Sequence, residues 1–453
     1  MKLTYDIKDK PKFGQLLIFA FQQLLAILAA TIAVPSIVGN GMSQSAALFG
    51  AGVGTIVYLL FTKFRSPVFL GSSFAFLGSM FAAFAGAATA EAGYAGIILG
   101  AFFAGLVYVV IAIIVKVAGV KWIDKLMPAV VIGPTVSIIG LSLAGNAVGD
   151  TLKFAANEGS GYNMGLHGWV GLICALVTLF VVMICSVFGK KMAKLIPFII
   201  GILAGYLVAA IFTVIGTKTG NENLMVIDFS VFNDMKIFAV PDFTFLTAAK
   251  GFSAVDGKYI ATIAVAYVPV AFVVFAEHIA DHKNLSSVIN KELLEDPGLH
   301  RTLLGDGVGS MVGAVFGGCP NTTYGESVGC VAITGNASIV TILTTAIMSI
   351  VISFFGPFVT FLSTIPACVM GGVCITLYGF IAVSGLKMIQ KVDLDQNKNL
   401  FVVAVILITG IGGMTLNIGS VTLTEIACAL ILGIITNVIL SKKKDDAVEE
   451  KAE

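Results

Sequence analysis

Apolar residues in this chain do not follow the periods of soluble helices and strands; they run in long blocks separated by short polar stretches. A block of about 20 mostly apolar residues is the length at which an α-helix crosses the hydrocarbon of a bilayer. Such blocks fall at 13–34, 47–63, 93–118, 126–147, 167–188, 195–216, 258–281, 301–317, 337–360, 366–389, 399–416 and 422–440. Two more stretches, 67–83 and 319–334, are apolar yet rich in Gly, Ser, Thr and Asn, and read as broken or partly extended spans. The pattern predicts an all-α polytopic membrane protein with 14 transmembrane segments.

Composition agrees. Of 453 residues 57% are hydrophobic and only 12% charged, against about a quarter charged in soluble domains. The net charge of +1 gives no reason to expect a nucleic-acid partner. All seven cysteines sit in apolar segments and read as small buried hydrophobes, with no disulfide framework. The hydrophobic stretch after Lys12 is too long for a signal-peptide core, so it is read as the first span, retained.

Orientation follows from the basic residues, which accumulate in short cytoplasmic loops. With the N-terminus inside, 22 of the 27 Lys and Arg fall on the cytoplasmic side; Lys153, Lys218, Lys236, Lys250 and Lys258 do not. Both termini are therefore expected in the cytoplasm, 217–257 as one long external connection, and 441–453 as a charged, disordered tail.

The phrase Pro128-Ala129-Val130-Val131-Ile132-Gly133 recurs as Pro366-Ala367-Cys368-Val369-Met370-Gly371, at the fifth and twelfth crossings. Seven crossings per half is an odd number, so the second copy enters the membrane from the opposite side. Inverted repeats of this kind mark transporters whose sites lie near the midplane, where broken spans meet. The two Gly/Ser/Thr-rich segments, third and tenth, occupy corresponding places.

Acidic side chains at membrane depth are costly and are functional candidates by default. Glu277, Asp281, Asp306 and Glu326 are of this kind. Glu277 and Asp281 share a helix face, as do His278 and His282. The histidine pair lacks the third ligand and catalytic Glu of a zinc hydrolase and is expected to be interfacial and solvated, so neither a metal site nor an enzyme is predicted. The run Gly317-Gly318-Cys319-Pro320-Asn321-Thr322-Thr323-Tyr324-Gly325-Glu326 cannot be an ordinary transmembrane helix, and its extended backbone needs protein or ligand to satisfy it. A small polar ring with alternating donors and acceptors would fit, with Glu326 accepting from a ring N–H. Phe74, in the partner segment Pro67-Val68-Phe69-Leu70-Gly71-Ser72-Ser73-Phe74, is placed to stack. Asp306, in Gly305-Asp306-Gly307, is expected to brace the unwound strands, and Gln22 and Gln23 to hydrogen-bond between helices.

Three motifs in order, Ala276-Glu277-His278-Ile279, Asp296-Pro297-Gly298-Leu299-His300-Arg301-Thr302-Leu303-Leu304-Gly305-Asp306-Gly307 and Asn321-Thr322-Thr323-Tyr324-Gly325-Glu326, closely resemble the uracil-permease branch of the nucleobase–ascorbate transporter (nucleobase:cation symporter-2) family. The resemblance implies two inverted seven-segment repeats, with short antiparallel β-strands in segments 3 and 10. It also implies a core domain (13–118 and 258–364) and a gate domain (119–216 and 365–440), flanked by the cytoplasmic segments 1–12 and 441–453. By position, Glu277 and Glu326 resemble the substrate-binding glutamates, Phe74 and Gly325 the residues whose amides face the base, and Ala30, Phe74 and Tyr324 its walls. Glu277, Asp281 and Glu326 are the expected proton-coupling groups, and Asp306 and Asn321 structural supports. The chain departs from the family pattern at Gln22-Gln23, where Gln-His is frequent, at Asp281, a histidine in some uracil permeases, and at Ser327, often Asn. The resemblance implies a proton-coupled uracil symporter of the cytoplasmic membrane, working as a homodimer with H⁺ as coupling ion and no other cofactor. The alternatives are a xanthine or purine permease of the same family, which Glu326 in place of Gln disfavours, and an anion transporter of the same fold.

Overall fold

A computed structural model describes residues 3–119, 128–159, 161–190, 192–418 and 421–449. Lys2, Lys121, Lys125, Lys191 and Lys451, part of the charge argument for orientation, lie outside the described residues.

The chain begins with α1 (Phe13–Val38), α2 (Gln44–Phe61), strand β1 (Leu70–Ser72), α3 (Leu77–Ala85) and α4 (Ala90–Ala118). It continues through α5 (Ala129–Ser142), α6 (Ala144–Thr151), a small hairpin of β2 (Ala156–Asn157) and β3 (Tyr162–Asn163), α7 (Leu166–Phe188), α8 (Met192–Leu195), α9 (Pro197–Thr219) and α10 (Thr244–Gly251). The second half holds α11 (Gly257–Ile289), α12 (Leu299–Gly317), strand β4 (Asn321–Thr323), α13 (Gly325–Thr334), α14 (Ile339–Ser353), α15 (Gly356–Ser363) and α16 (Ala367–Ile389). It closes with α17 (Asn397–Ile411), a hairpin of β5 (Leu416–Ile418) and β6 (Val421–Leu423), and α18 (Glu425–Glu449).

Among the described residues, eight helical spans are long and apolar enough to cross a membrane, α5 and α6 counting as one, and four shorter apolar helices accompany them. The protein is a multi-pass integral membrane protein. Its outward faces carry large apolar side chains such as Phe180, Ile184, Leu207 and Ile211, as a lipid-facing surface requires.

Helix ends are set by local chemistry. The Asp256 side chain accepts from the Tyr259 N–H at 2.7 Å to start α11, and Ser43 and Thr89 do the same for α2 and α4. Helix α11 stops at Asn290 in the left-handed conformation (φ 53°). The helices form two packing groups: α1 to α4 with α11 to α14, and α5 to α9 with α16 to α18. In the first, α2 lies directly on α12 because glycines meet there; a Cβ on Gly54 would stand 2.8 Å from the Gly309 carbonyl oxygen.

The two broken segments meet as strands. β1 and β4 pair antiparallel, with Leu70 opposite Thr323, Gly71 opposite Thr322 and Ser72 opposite Asn321. So short a ladder leaves backbone groups at its ends and edges, and neighbouring side chains satisfy several of them. Thr55 Oγ1 accepts from the Leu70 N–H at 2.9 Å and donates to the Leu70 carbonyl, while Ser327 Oγ accepts from the Phe69 N–H at 3.0 Å.

Two features differ from expectation. The tail expected to be disordered begins as a continuation of α18, which runs to Glu449; residues 450–453 lie outside the described set. Its Lys, Asp, Glu and Ala composition contains good helix formers, with opposite charges three and four apart. The β2–β3 and β5–β6 hairpins had no counterpart in the apolar pattern, which registers long blocks and passes over strands of two or three residues.

Candidate binding site

Three elements converge on one cavity of about 510 Å³: the chain just after β1, the β4–α13 junction, and the middle of α11. Glu277 and Asp281 enter from α11, Phe74 from the turn after β1, and Tyr324, Gly325 and Glu326 from the start of α13. Opposite them the second packing group supplies apolar cover, including Val136 and Ile139 of α5 and Leu377 and Phe380 of α16. Glu277 is exposed to the cavity, whereas Asp281 and Glu326 are half-buried in its wall. The first N–H groups of α13 have no carbonyl acceptor within their own helix and stand at this same lining.

The wall is tied together by hydrogen bonds. Thr323 Oγ1 donates to Asp281 Oδ2 at 2.9 Å, joining β4 to α11. Tyr324 OH donates to the Ser72 carbonyl at 2.8 Å, laying its ring over Gly71, where any Cβ would collide with it. Gln23 Nε2 donates to Ser327 Oγ, so one of the two intramembrane glutamines does link helices. The edge of Phe74 meets Tyr378 of the second packing group, ring centroids 6.1 Å apart.

Of the residues singled out from the sequence, Glu277, Asp281, Glu326, Phe74, Tyr324 and Gly325 line the cavity together. Ala30 is buried in an apolar cluster with Tyr324, and Ala26, about one helical turn earlier, lines the cavity. Asp306 and Asn321 stand apart, in the wall of a separate cavity of about 10 Å³ beside Tyr108 and Ser310. Asn321 Nδ2 donates to the Gly50 carbonyl at 3.1 Å. The hydrogen bond of Asp306 goes to a helix partner: its Oδ2 lies 2.7 Å from His278 Nδ1, tying α12 to α11.

The histidines correct a second expectation. His278 and His282 are fully buried and not solvated. His278 Nε2 lies 2.9 Å from Thr302 Oγ1; His282 Nδ1–H donates to the His278 carbonyl at 2.8 Å, and its Nε2 is 2.7 Å from Tyr58 OH. They occupy the face of α11 turned toward α2 and α12, where each ring nitrogen finds a partner. No metal-binding cluster of His, Cys, Asp and Glu exists among the described residues. Lys194 of α8, Ser186 and Ser384 also line the main cavity; no motif in the sequence distinguished them.

The family model Xan_ur_permease, described as "Permease family", matches residues 14–419. The chain is 41% identical over 442 residues to a uracil permease of Bacillus caldolyticus, covering 97% of this chain and 95% of that one. It is 37% identical to a uracil permease of Bacillus subtilis (99% and 98% covered) and 33% identical to one from Escherichia coli K12 (94% and 92%). Among solved structures, the transmembrane domain of a cyanobacterium bicarbonate transporter superposes with a TM-score of 0.64 at 17% identity, covering 96% of this chain and 100% of that one. The murine Solute Carrier 26 family member A9 anion transporter, in its inward-facing state, gives 0.67 at 11% identity (96% and 69% covered). At these identities the two structures speak for the fold alone.

Proposed function

Because the chain belongs to the nucleobase–ascorbate transporter (nucleobase:cation symporter-2) family of permeases, we propose that it imports uracil together with protons across the cytoplasmic membrane by alternating access. The observation that carries this reading is the convergence of Glu277, Glu326, Phe74, Tyr324 and Gly325 on one cavity. Uracil is a neutral planar ring bearing N–H groups beside carbonyls. Carboxylates accept from the former, first-turn amides of α13 donate to the latter, and an aromatic ring covers the face.

Alternating access is supported by how the cavity is bounded. Its acids belong to the first packing group, and much of its cover, together with Lys194 and Met388 near one end, belongs to the second. We read that end as cytoplasmic from the distribution of basic residues, which makes this an inward-facing arrangement with both termini inside. A second hollow of about 540 Å³, between Ile37 and Phe81 of the first group and Asn146, Asp150 and Tyr162 of the second, is read as the external vestibule. The two packing groups are then the core and gate domains, built from inverted seven-segment repeats within 14 segments. Homodimerisation through the gate is carried by the resemblance alone.

Coupling follows from charge. Three carboxylates face one cavity, and a proton borne by one of them lowers the charge that must cross with the base. Asp281 is the group we assign to carry it, on the same α11 face as Glu277. A membrane potential of 100 mV is worth about 2.3 kcal/mol per charge, enough for about fiftyfold accumulation. The test is uptake of radiolabelled uracil into proteoliposomes under an imposed pH gradient. Uptake abolished by an uncoupler and resistant to excess xanthine supports the reading; uptake indifferent to the gradient removes proton coupling, and displacement by xanthine changes the substrate.

A further inference from the structure

The segment before the first span is not loose. Residues 4–9 lie as a strap across the ends of the helices that bear the site's acids. Thr4 and Tyr5 donate their N–H groups to the Gly335 carbonyl at 2.8 and 3.2 Å, and Thr4 Oγ1 donates to the Thr334 carbonyl. These carbonyls lie at the end of α13, where the last carbonyls of a helix find no N–H donor within it. The Ala337 N–H donates to the Tyr5 carbonyl at 2.9 Å and the Ile339 N–H to the Ile7 carbonyl at 3.1 Å. Ser338 Oγ donates to the Asp9 carbonyl at 2.6 Å. On the other side Lys291, next after the residue that stops α11, donates to both oxygens of Asp6 at 2.7 and 2.6 Å. Between the two anchors Ile7 is buried in one apolar cluster with Leu285 and Ile289 of α11 and Val328 and Val331 of α13.

We propose that residues 4–9 are a positioning element, a wedge and clasp that sets the spacing of α11 and α13 and thereby the separation of Glu277 from Glu326. α13 is only ten residues long. Its first turn carries Glu326 and its last turn is held by the strap, so a shift at the clasp is transmitted along a short rigid rod. The other contact, at Lys291, lies near the C-terminal end of the helix that carries Glu277. The ion pair is exposed, and such pairs contribute little alone. The backbone ladder and the buried Ile7 do most of the holding. Among the described residues its hydrogen bonds and its buried Ile7 engage elements of the first packing group, so the strap is expected to move together with both acids.

This inference rests on the uracil reading for one of its three measurements. Full-length Tyr5→Pro, Ile7→Ala and Asp6→Lys variants, purified as monodisperse protein, are compared with wild type for equilibrium binding of radiolabelled uracil, for thermal stability, and for hydrogen exchange at residues 326–334. The expected result is binding weakened about tenfold in Tyr5→Pro and Ile7→Ala, as for a binding group displaced by a fraction of an ångström, and by less in Asp6→Lys, with faster exchange in α13. Adding Lys291→Asp to Asp6→Lys is expected to restore affinity. Lowered thermal stability with unchanged affinity and unchanged α13 exchange in the folded protein would make the strap a mere fastening and overturn the proposal. Should wild type bind no uracil, the substrate reading fails and exchange alone decides: unchanged α13 exchange in all three variants still sinks the strap.

Discussion

Thr323 Oγ1 donates a 2.9 Å hydrogen bond to Asp281 Oδ2, linking the strand of one broken segment to the helix that carries Glu277. Asp281 is thus held in the cavity wall one helical turn from Glu277. Asp281→Asn keeps a side chain able to accept from Thr323 and removes the exchangeable proton. Uracil counterflow, which needs no net proton movement, is expected to persist near the wild-type rate. Accumulation driven by a pH gradient is expected to fall by about tenfold or more. Equal loss of both activities would take Asp281 out of the proton path.

Glu277 and Glu326 each present a carboxylate to the cavity. Replacing either by Gln keeps the volume and removes a charged acceptor, at a cost of about 1.5–3 kcal/mol. Equilibrium binding should therefore weaken by about 10- to 150-fold in each single variant. Near-normal affinity in one variant would exclude that residue from contact with the base.

Gly71 and Tyr324 make a graded pair. A Cβ at position 71 collides with the Tyr324 ring, which is pinned by its bond to Ser72. Gly71→Ala is expected to displace the ring and abolish uracil binding. Tyr324→Phe loses only the hydroxyl bond, about 1 kcal/mol, and should retain binding within about tenfold. Binding isotherms of the two variants check the order; the reverse order would mean that the hydroxyl, and not the ring, serves the site.

Asp6 gives the strap a pH signature. The hydrogen bond from Lys291 holds its carboxyl below the ordinary value of 3.8, against a smaller opposing effect of burial. A folded value below the unfolded one means that the contribution to stability is complete above the ordinary carboxylate range. It is lost as pH falls through the lowered value. The clasp is therefore constant between about pH 5 and 8, and any pH dependence of transport in that window originates elsewhere. Thermal unfolding of wild type and Asp6→Asn should differ by a constant amount across the window and converge only below about pH 4.

The apolar blocks alone located the eight helical spans long enough to cross a membrane among the described residues, because nothing but a bilayer or a buried core accepts such lengths of hydrocarbon. The two Gly- and Thr-rich interruptions likewise marked where the strands form, since Pro320 and the surrounding glycines rule out a continuous helix. Glu277 and Glu326 stood out because charge at that depth is costly unless it is used. Other features were decided by tertiary packing. A transmembrane helix is apolar on most faces, so its sequence does not say which face meets lipid and which meets protein. That is why His278 and His282, near the expected end of a span, read as solvated although α2 and α12 bury them. For the same reason Asp306 could not be matched to His278, nor Ser327 to Phe69 and Gln23: such partners depend on which helix lies alongside at a given height, and hydropathy along one chain carries no record of its neighbours.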